Sequence, residues 1–200
     1  MRGVPLPPRS PRSSIRRKLA FLTEDRKQQG LILPETISRN VSLANLRSVT
    51  RAMVVDRRAE RAAAKRYVER LSIKAPTTEK AVVNLSGGNQ QKVIIAKWLN
   101  TDADILILDE PTRGIDVGAK AEIHRLMGEL AVSGVAILMI SSELPEVLGM
   151  SDRVLVMHEG RVAAELDRSE ADESRIMRAA TGYVEAKAPT EAQVQGGSRT

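Results

Sequence analysis

Apolar runs alternate with amphipathic stretches in the second half of this 200-residue chain. Residues 105–108 (ILIL) and 135–140 (VAILMI) are continuous apolar runs, which are typical of parallel strands buried on both faces. Residues 89–99 and 119–130 carry apolar side chains at helical spacing. This alternation of helices and strands predicts an α/β fold, in which a mostly parallel sheet is flanked by helices.

A different pattern follows the second apolar run. Segments 153–158 and 161–166 flank Glu159-Gly160 and predict a β-hairpin near the C-terminus. Ser169-x-x-Asp172 has the spacing of a helix cap, so a last helix is expected to run to about Thr181.

The first eighty residues have a weaker pattern. Leu19–Leu22 is a short apolar run that predicts a strand, and the polar segment TEDRKQQG after it predicts a loop. A stretch dense in Ala, Arg and Glu predicts a helical subdomain over about residues 35–80. The predicted organisation is an irregular basic leader over residues 1–14, one domain over residues 15–182, and a polar, disordered tail over residues 183–200.

Composition and charge exclude several classes of protein. The chain has no cysteine, which excludes disulfides, thiolate metal sites and cysteine nucleophiles. Aromatic residues make up only 2%, which argues against base recognition by stacking. The net charge of +6 arises within residues 1–30, and the rest of the chain is balanced. A basic N-terminal segment is compatible with nucleic acid, a membrane surface or targeting, but its prolines and arginines interrupt the apolar stretch that a secretory signal needs.

The first candidate for chemistry is the segment LSGGNQQK at residues 85–92, directly before a predicted helix. Gly87 and Gly88 allow a ligand to approach the backbone, and Ser86 supplies a hydroxyl. Unpaired N–H groups at the start of the helix favour an anion such as phosphate. A serine-glycine turn that only caps the helix is the alternative interpretation.

The second candidate is the pair of carboxylates that ends the ILIL strand. Ligands of parallel sheets bind at the carboxyl ends of the strands. Asp109 is placed to hold Mg²⁺, and Glu110 to orient and activate a water that attacks a phosphate. The alternative is a strand followed by a solvated acidic turn.

Taken in order, these motifs resemble those of the ATP-binding subunits of ABC transporters. The resemblance implies that Leu85–Gln90 is the signature motif, formed by Leu85, Ser86, Gly87, Gly88, Asn89 and Gln90. It implies that Asp109 (a metal ligand) and Glu110 (the catalytic residue) are the Walker B pair, and that Gly114 and Asp116 belong to the D-loop. The segments EDRKQQGL, LSGGNQQK, DEPTRGIDVGAK and SSELPEVLGMSDRVLVMHEG are most similar to the second half of the tandem ATPases of bacterial ribose, galactose and xylose importers, over residues 9–182.

This resemblance implies ATP and Mg²⁺ as cofactors and a peripheral position on the cytoplasmic face of the cell membrane. The implied partners are another ABC ATPase half, a membrane permease and, indirectly, a sugar-binding protein. Two positions depart from the commonest ABC pattern: Ser142 stands at the switch position instead of histidine, and Glu24 stands at the Q-loop position instead of glutamine.

The P-loop motif GxxxxGK[ST] does not occur in the sequence, because no glycine is followed directly by lysine. We therefore expect an incomplete ABC-type nucleotide-binding domain that begins before the signature motif and contributes this motif to a partner's ATP site. A non-catalytic interaction fragment, or a remnant without autonomous ATPase activity, is the alternative. An ABC ATPase acting on nucleic acid would share the signature motif, but NQQK and SSELPEVLGMSDR favour the sugar importers, and no nucleic acid partner is expected.

Overall fold

The computed structural model describes residues 10–182. The chain divides into two compact units between Glu143 and Leu144. Within residues 10–182, no helix is both long and apolar enough to cross a lipid bilayer.

From residue 10 onwards, where its description starts, the first unit contains a parallel sheet, a two-stranded hairpin and five α-helices. Its helices are α1 (Pro11–Arg16), α2 (Ile37–Ser42), α3 (Arg57–Arg70), α4 (Gly87–Leu99) and α5 (Val117–Val132). Its strands are β1 (Leu19–Leu22), β2 (Thr50–Arg51), β3 (Val54–Val55), β4 (Ile105–Asp109) and β5 (Ala136–Ile140). A π-helical turn over Arg26–Gly30 and 3₁₀ segments over Leu43–Val49 and Val82–Asn84 connect them. The predicted α/β fold is confirmed.

The sheet has the strand order β1–β4–β5, with both pairs parallel. One face is buried beneath α4 and α5, whose Ile94 and Ile123 are fully buried. The opposite face is apolar but open: Phe21, Leu138 and Ile140 remain 41–48% exposed. The prediction that residues 105–108 and 135–140 are buried on both faces is therefore wrong, because helices cover these strands on one side.

Two local predictions near the N-terminus are also wrong. The irregular leader is predicted over residues 1–14, of which residues 1–9 lie outside the described residues. Its last residues instead begin α1 at Pro11, because proline fits the first turn of a helix and Ser10 Oγ accepts a hydrogen bond from Ser13 N at 3.3 Å. The predicted TEDRKQQG loop contains the π-helical turn, whose first N–H groups, those of Lys27 and Gln28, donate to the Asp25 carboxylate.

The region over about residues 35–80 is mainly helical, with α2, α3 and α4 packed around buried apolar side chains such as Ile37, Val41 and Ala64. The sequence pattern did not predict the two-stranded hairpin of β2 and β3 within it. Ala52 and Met53 form the hairpin turn with positive φ values of 45° and 66°, which glycine or asparagine usually adopts.

The second unit consists of α6 (Leu144–Met150), β6 (Arg153–His158), β7 (Arg161–Asp167) and α7 (Glu173–Ala180). The predicted hairpin is confirmed by the antiparallel pairing of β6 with β7. The last helix is capped by Asp172, whose carboxylate accepts a hydrogen bond from Arg175 N at 2.8 Å, and not by the Ser169-x-x-Asp172 box, because α7 begins only at Glu173. The predicted tail over residues 183–200 lies outside the described residues.

Candidate functional site

The start of α4 presents one exposed hydroxyl. Ser86 occupies the N-cap position directly before Gly87, the first residue of this thirteen-residue helix. Its hydroxyl makes no capping bond and instead accepts a hydrogen bond from Asn89 Nδ2 at 2.9 Å. The other side of the Asn89 amide accepts a hydrogen bond from Lys74 N at 2.7 Å. Asn89 thus holds the Ser86 hydroxyl in place through a contact with the preceding loop.

The two glycines of this segment have different surroundings. A Cβ on Gly88 would lie 2.5 Å from Ala119 Cβ, so Gly88 allows α4 and α5 to approach each other closely. A Cβ on Gly87 would lie 3.1 Å from Arg26 Nη2 and 3.2 Å from Ile115 Cγ2. Gly88 is buried and Gly87 only half-buried, so of the two glycines it is Gly87 that reaches the surface.

Leu85 and Gln90 are buried. The Gln90 amide donates to the carbonyl oxygens of Val82 and Leu85 at 3.2 and 3.3 Å, which ties the first turn of α4 to the segment before it. Of the six residues predicted to bind ATP, three therefore reach the surface, namely Ser86, Gly87 and Asn89, while the other three support the segment from inside.

The end of β4 brings Glu110 and Ser142 together. Glu110 N donates to the carbonyl oxygen of Ile140 at 2.9 Å, and the Glu110 carboxylate accepts a hydrogen bond from Ser142 N at 2.9 Å. The backbone of Glu110 has φ = 46°, in the left-handed region that costs a non-glycine residue energy. Strain of this kind persists only where the surrounding structure holds the residue in place, and here both hydrogen bonds do so.

Asp109 is the last residue of β4, half-buried and paired in register with Ile140. Its carboxylate, like that of Glu110 one residue later in the sequence, offers the hard oxygen ligands that Mg²⁺ prefers. Within the described residues there is no group of three acidic, histidine or cysteine side chains that could hold a metal on its own. The donor set fits Mg²⁺ only where phosphate oxygens and water complete the coordination, as they do in nucleotide sites.

The turn between β4 and α5 carries the other two predicted residues. Gly114 has φ = 66°, and Asp116 caps α5 by accepting a hydrogen bond from Ala119 N at 2.9 Å. The sequence did not single out Arg26, which donates from Nη1 to the carbonyl oxygen of Arg113 at 2.7 Å and from Nη2 to that of Gly114 at 2.9 Å. Glu24, at the predicted Q-loop position, forms an ion pair with Arg113.

Two buried lysines of α4 connect this helix to neighbouring segments. Lys92 is buried and its Nζ lies 2.8 Å from a Glu122 carboxylate oxygen of α5, while Lys74 Nζ lies 3.1 Å from the other. Hydrogen bonds from Lys92 and Lys74 lower the pKa of Glu122 to about 2. Lys97 is also buried, with its Nζ 2.5 Å from the carbonyl oxygen of Gly30, and burial lowers its pKa.

The contacts group the predicted site residues into two clusters. Glu24, Gly87 and Gly114 are connected through Arg26 and Arg113, and Glu110 is connected to Ser142. Arg26 and Arg113 are the members that the sequence motifs missed. The only sequence signal for these two arginines is that they lie within the segments EDRK and PTRGID. Neither segment indicates which groups the arginines contact.

The chain is similar to proteins of known family along most of its length. The family model described as ABC transporter matches residues 3–113. A protein of Rhizobium etli named for ribose, galactose and methyl galactoside import is 56% identical over 182 residues, which is 91% of this chain and 35% of that protein. A xylose import ATP-binding protein of Thermoanaerobacter pseudethanolicus is 51% identical over 173 residues, 86% of this chain and 34% of that protein. The chain thus spans about a third of the length of the curated relatives it matches.

A solved structure from Clostridium perfringens, part of an ABC transporter complex, has a TM-score of 0.64 and 26% identity. The match covers 80% of this chain and 62% of that one. The fold of this chain is therefore similar to that of a known component of an ABC transporter complex.

Proposed function

This chain belongs to the ABC transporter family, and from that membership we propose that it is the ATP-binding part of a sugar import system. The names of its relatives support pentoses or hexoses such as ribose, xylose and galactose as the transported class. In this proposal the chain binds ATP with Mg²⁺, and nucleotide binding and hydrolysis drive transport through a membrane permease.

The observation that carries the proposal is the exposed start of α4. Ser86 presents its hydroxyl there, held by Asn89, and the first N–H groups of a thirteen-residue helix follow it. These N–H groups and the helix dipole favour a phosphate group. Buried Gln90 and Lys92 fix the orientation of the helix, so the site needs little rearrangement to receive an anion.

The second cluster supplies groups for phosphate chemistry. Asp109 would hold the magnesium ion together with phosphate oxygens and water, and the ion would neutralise charge on the phosphates. Glu110 would orient a water and accept its proton. Ser142 N, which donates to Glu110, would keep that carboxylate in one orientation.

We propose that the signature segment acts on a nucleotide held by another ATPase half. In ABC ATPases the signature motif of one domain closes over ATP bound at the P-loop of the other, which leaves Ser86 and Gly87 available to a partner. The partners are then a second ATPase half, a permease and, indirectly, a sugar-binding protein, and the complex lies on the cytoplasmic face of the membrane. In this scheme the loop that carries Glu24, at the Q-loop position, is the one that senses the membrane partner.

The test mixes the purified chain with a sugar-importer ATPase half that carries an intact P-loop, and measures ATP turnover and association. We expect the chain to raise the partner's turnover, and Ser86→Ala to reduce that increase on the order of tenfold. Ser133→Ala is the matched control, because its hydroxyl bonds Leu130 O at the far end of α5. If the mixture neither associates nor changes turnover, the proposal is wrong.

A non-catalytic interaction module is the second candidate, and the open apolar face of the sheet favours it. Phe21, Leu138 and Ile140 offer an association surface that needs no nucleotide. In the same mixing experiment this function predicts association without any change in ATP turnover. Turnover of the chain alone with ATP and Mg²⁺, compared with Glu110→Gln, measures any activity of its own.

A further inference from the structure

One guanidinium group connects three segments of the candidate site. Arg26, in the π-helical turn, donates to two consecutive carbonyl oxygens of the turn before α5, those of Arg113 at 2.7 Å and Gly114 at 2.9 Å. This two-pronged arrangement uses the planar fork that distinguishes arginine from lysine. A separation of 87 residues lies between Arg26 and Arg113, so the contact is a product of the tertiary fold.

The same guanidinium fills the space beside the signature segment. Its Nη2 lies 3.1 Å from the point where a Cβ on Gly87 would stand, and its Nη2 and Nη1 lie 3.7 and 3.8 Å from that point on Gly114. Both glycines therefore leave room for Arg26. The start of α4 and the turn over residues 113–116 meet at this side chain.

The energetics favour a single position for the turn. Arg26 Nε is buried and has no hydrogen-bond partner among the described residues. The two carbonyl oxygens are thus the main compensation for bringing this cation partly out of water, and moving the turn would leave the group unpaired. The neighbouring ion pair between Glu24 and Arg113 is about half exposed, so it adds less to this attachment.

We propose that Arg26 is a positioning residue that fixes the turn over residues 113–116 to the start of α4. Segment 24–30, the turn and Ser86 then move as one body. Arg26 therefore ties Gly114 to segment 24–30, beside the direct ion pair between Glu24 and Arg113. This inference rests on the proposed function for its effect on ATP turnover, but its structural part is measurable without a partner.

The structural test uses the absence of cysteine from the chain. Val117, the first residue of α5, is 82% exposed, so a spin label on Val117→Cys reports the mobility of the adjacent turn. In the full chain, Arg26→Met is expected to increase the label's mobility about twofold or more, with Arg26→Lys intermediate because one ammonium group replaces the fork poorly. Lys27→Gln is the matched control, since Lys27 is exposed and adjacent. Unchanged mobility in Arg26→Met would overturn the inference.

The functional test repeats the mixing experiment with the same variants. Arg26→Met is expected to lower the stimulated kcat on the order of tenfold while the partner's KM for ATP stays unchanged, because a displaced turn affects geometry more than ground-state binding. If Arg26→Met makes the turn mobile but leaves the stimulated kcat unchanged, the link between the position of the turn and ATP turnover is overturned. If the wild-type chain does not stimulate the partner at all, the proposed function fails, and the spin-label result alone decides whether Arg26 fixes the turn.

Discussion

The carboxylate of Glu110 accepts a hydrogen bond from the backbone amide of Ser142 at 2.9 Å. This contact joins the residue after β4 to the segment that follows β5, so the ends of two neighbouring strands hold each other. A serine side chain at position 142 is not needed for it, because the donor is the backbone. Ser142, at the predicted switch position, therefore contacts the candidate catalytic carboxylate through its backbone, without a histidine side chain.

Two substitutions at Glu110 distinguish the contribution of its hydrogen bond with Ser142 N from the contribution of its negative charge. Glutamine retains an oxygen that can accept from Ser142 N, whereas alanine leaves this exposed amide to water. We expect Glu110→Ala to lower the free energy of unfolding by about 1 kcal/mol and Glu110→Gln by less than about 0.5 kcal/mol. Urea denaturation monitored by circular dichroism measures both, and equal losses would show that the hydrogen bond contributes nothing.

Two glycine-to-alanine substitutions in helices should have opposite effects. A Cβ at Gly88 would stand 2.5 Å from Ala119 Cβ, so Gly88→Ala must push α4 away from α5 and is expected to cost about 1–3 kcal/mol. A Cβ at Gly128, within α5, meets nothing within 4 Å, so Gly128→Ala is expected to stabilise the chain by about 0.5–1 kcal/mol. Thermal unfolding of the two variants gives the signs directly. Stabilisation by Gly88→Ala would contradict the close approach of the helices.

Part of this structure can be predicted from the sequence alone. The failure to predict the remaining parts has physical reasons. The periodicity of residues 89–99 and 119–130 predicts α4 and α5, because burial against a sheet imposes a helical pattern. The apolar run at 105–108 correctly predicts a strand but wrongly indicates burial on both faces, since β4 is fully buried on one face only. Continuous apolar runs thus report strand character better than burial.

The candidate site shows the same division. The motifs select Ser86, Glu110 and Asp116 as candidates, and these residues lie at the ends of elements that periodicity locates. They do not identify Arg26 as a partner of Arg113 and Gly114, because its acceptors are backbone carbonyls, which every residue has. A side chain that bonds to distant backbone leaves no pattern in a single sequence.

The pairing of Glu122 with Lys92 and Lys74 makes stability sensitive to acid. The pKa of Glu122 falls from 4.5 to about 2 on folding, so between these pH values the unfolded chain binds a proton that the folded chain does not. The stabilisation is present above pH 4.5 and is lost as the pH falls towards 2. Because Glu122 is about two-fifths exposed, we expect its amplitude to be about 1 kcal/mol or less.

Glu122→Gln should flatten this acid dependence and also lower stability at neutral pH. The buried ammonium of Lys92 then faces a neutral amide in place of a carboxylate, beside the carbonyl oxygen of Ser72 at 3.1 Å. Glu129→Gln on the same helix is the matched control, because its partner Arg125 is exposed. Urea denaturation between pH 2 and 7 compares the variants. An identical slope in Glu122→Gln and the unsubstituted chain would contradict the assignment.

The open face of the sheet predicts self-association. Phe21 and Leu138 both lie in register with Ile107, so they form one apolar row across the three strands, and both are more than 40% exposed. We expect sedimentation velocity to show concentration-dependent association, because covering this row removes apolar surface from water. Leu138→Thr keeps a residue that favours strands and is expected to weaken association about fivefold to tenfold. Val132→Thr is the control, because Val132 is 92% exposed at the end of α5, away from the row, and should leave association unchanged. A chain that stays monomeric at all concentrations would show that an open apolar row of this size does not drive association.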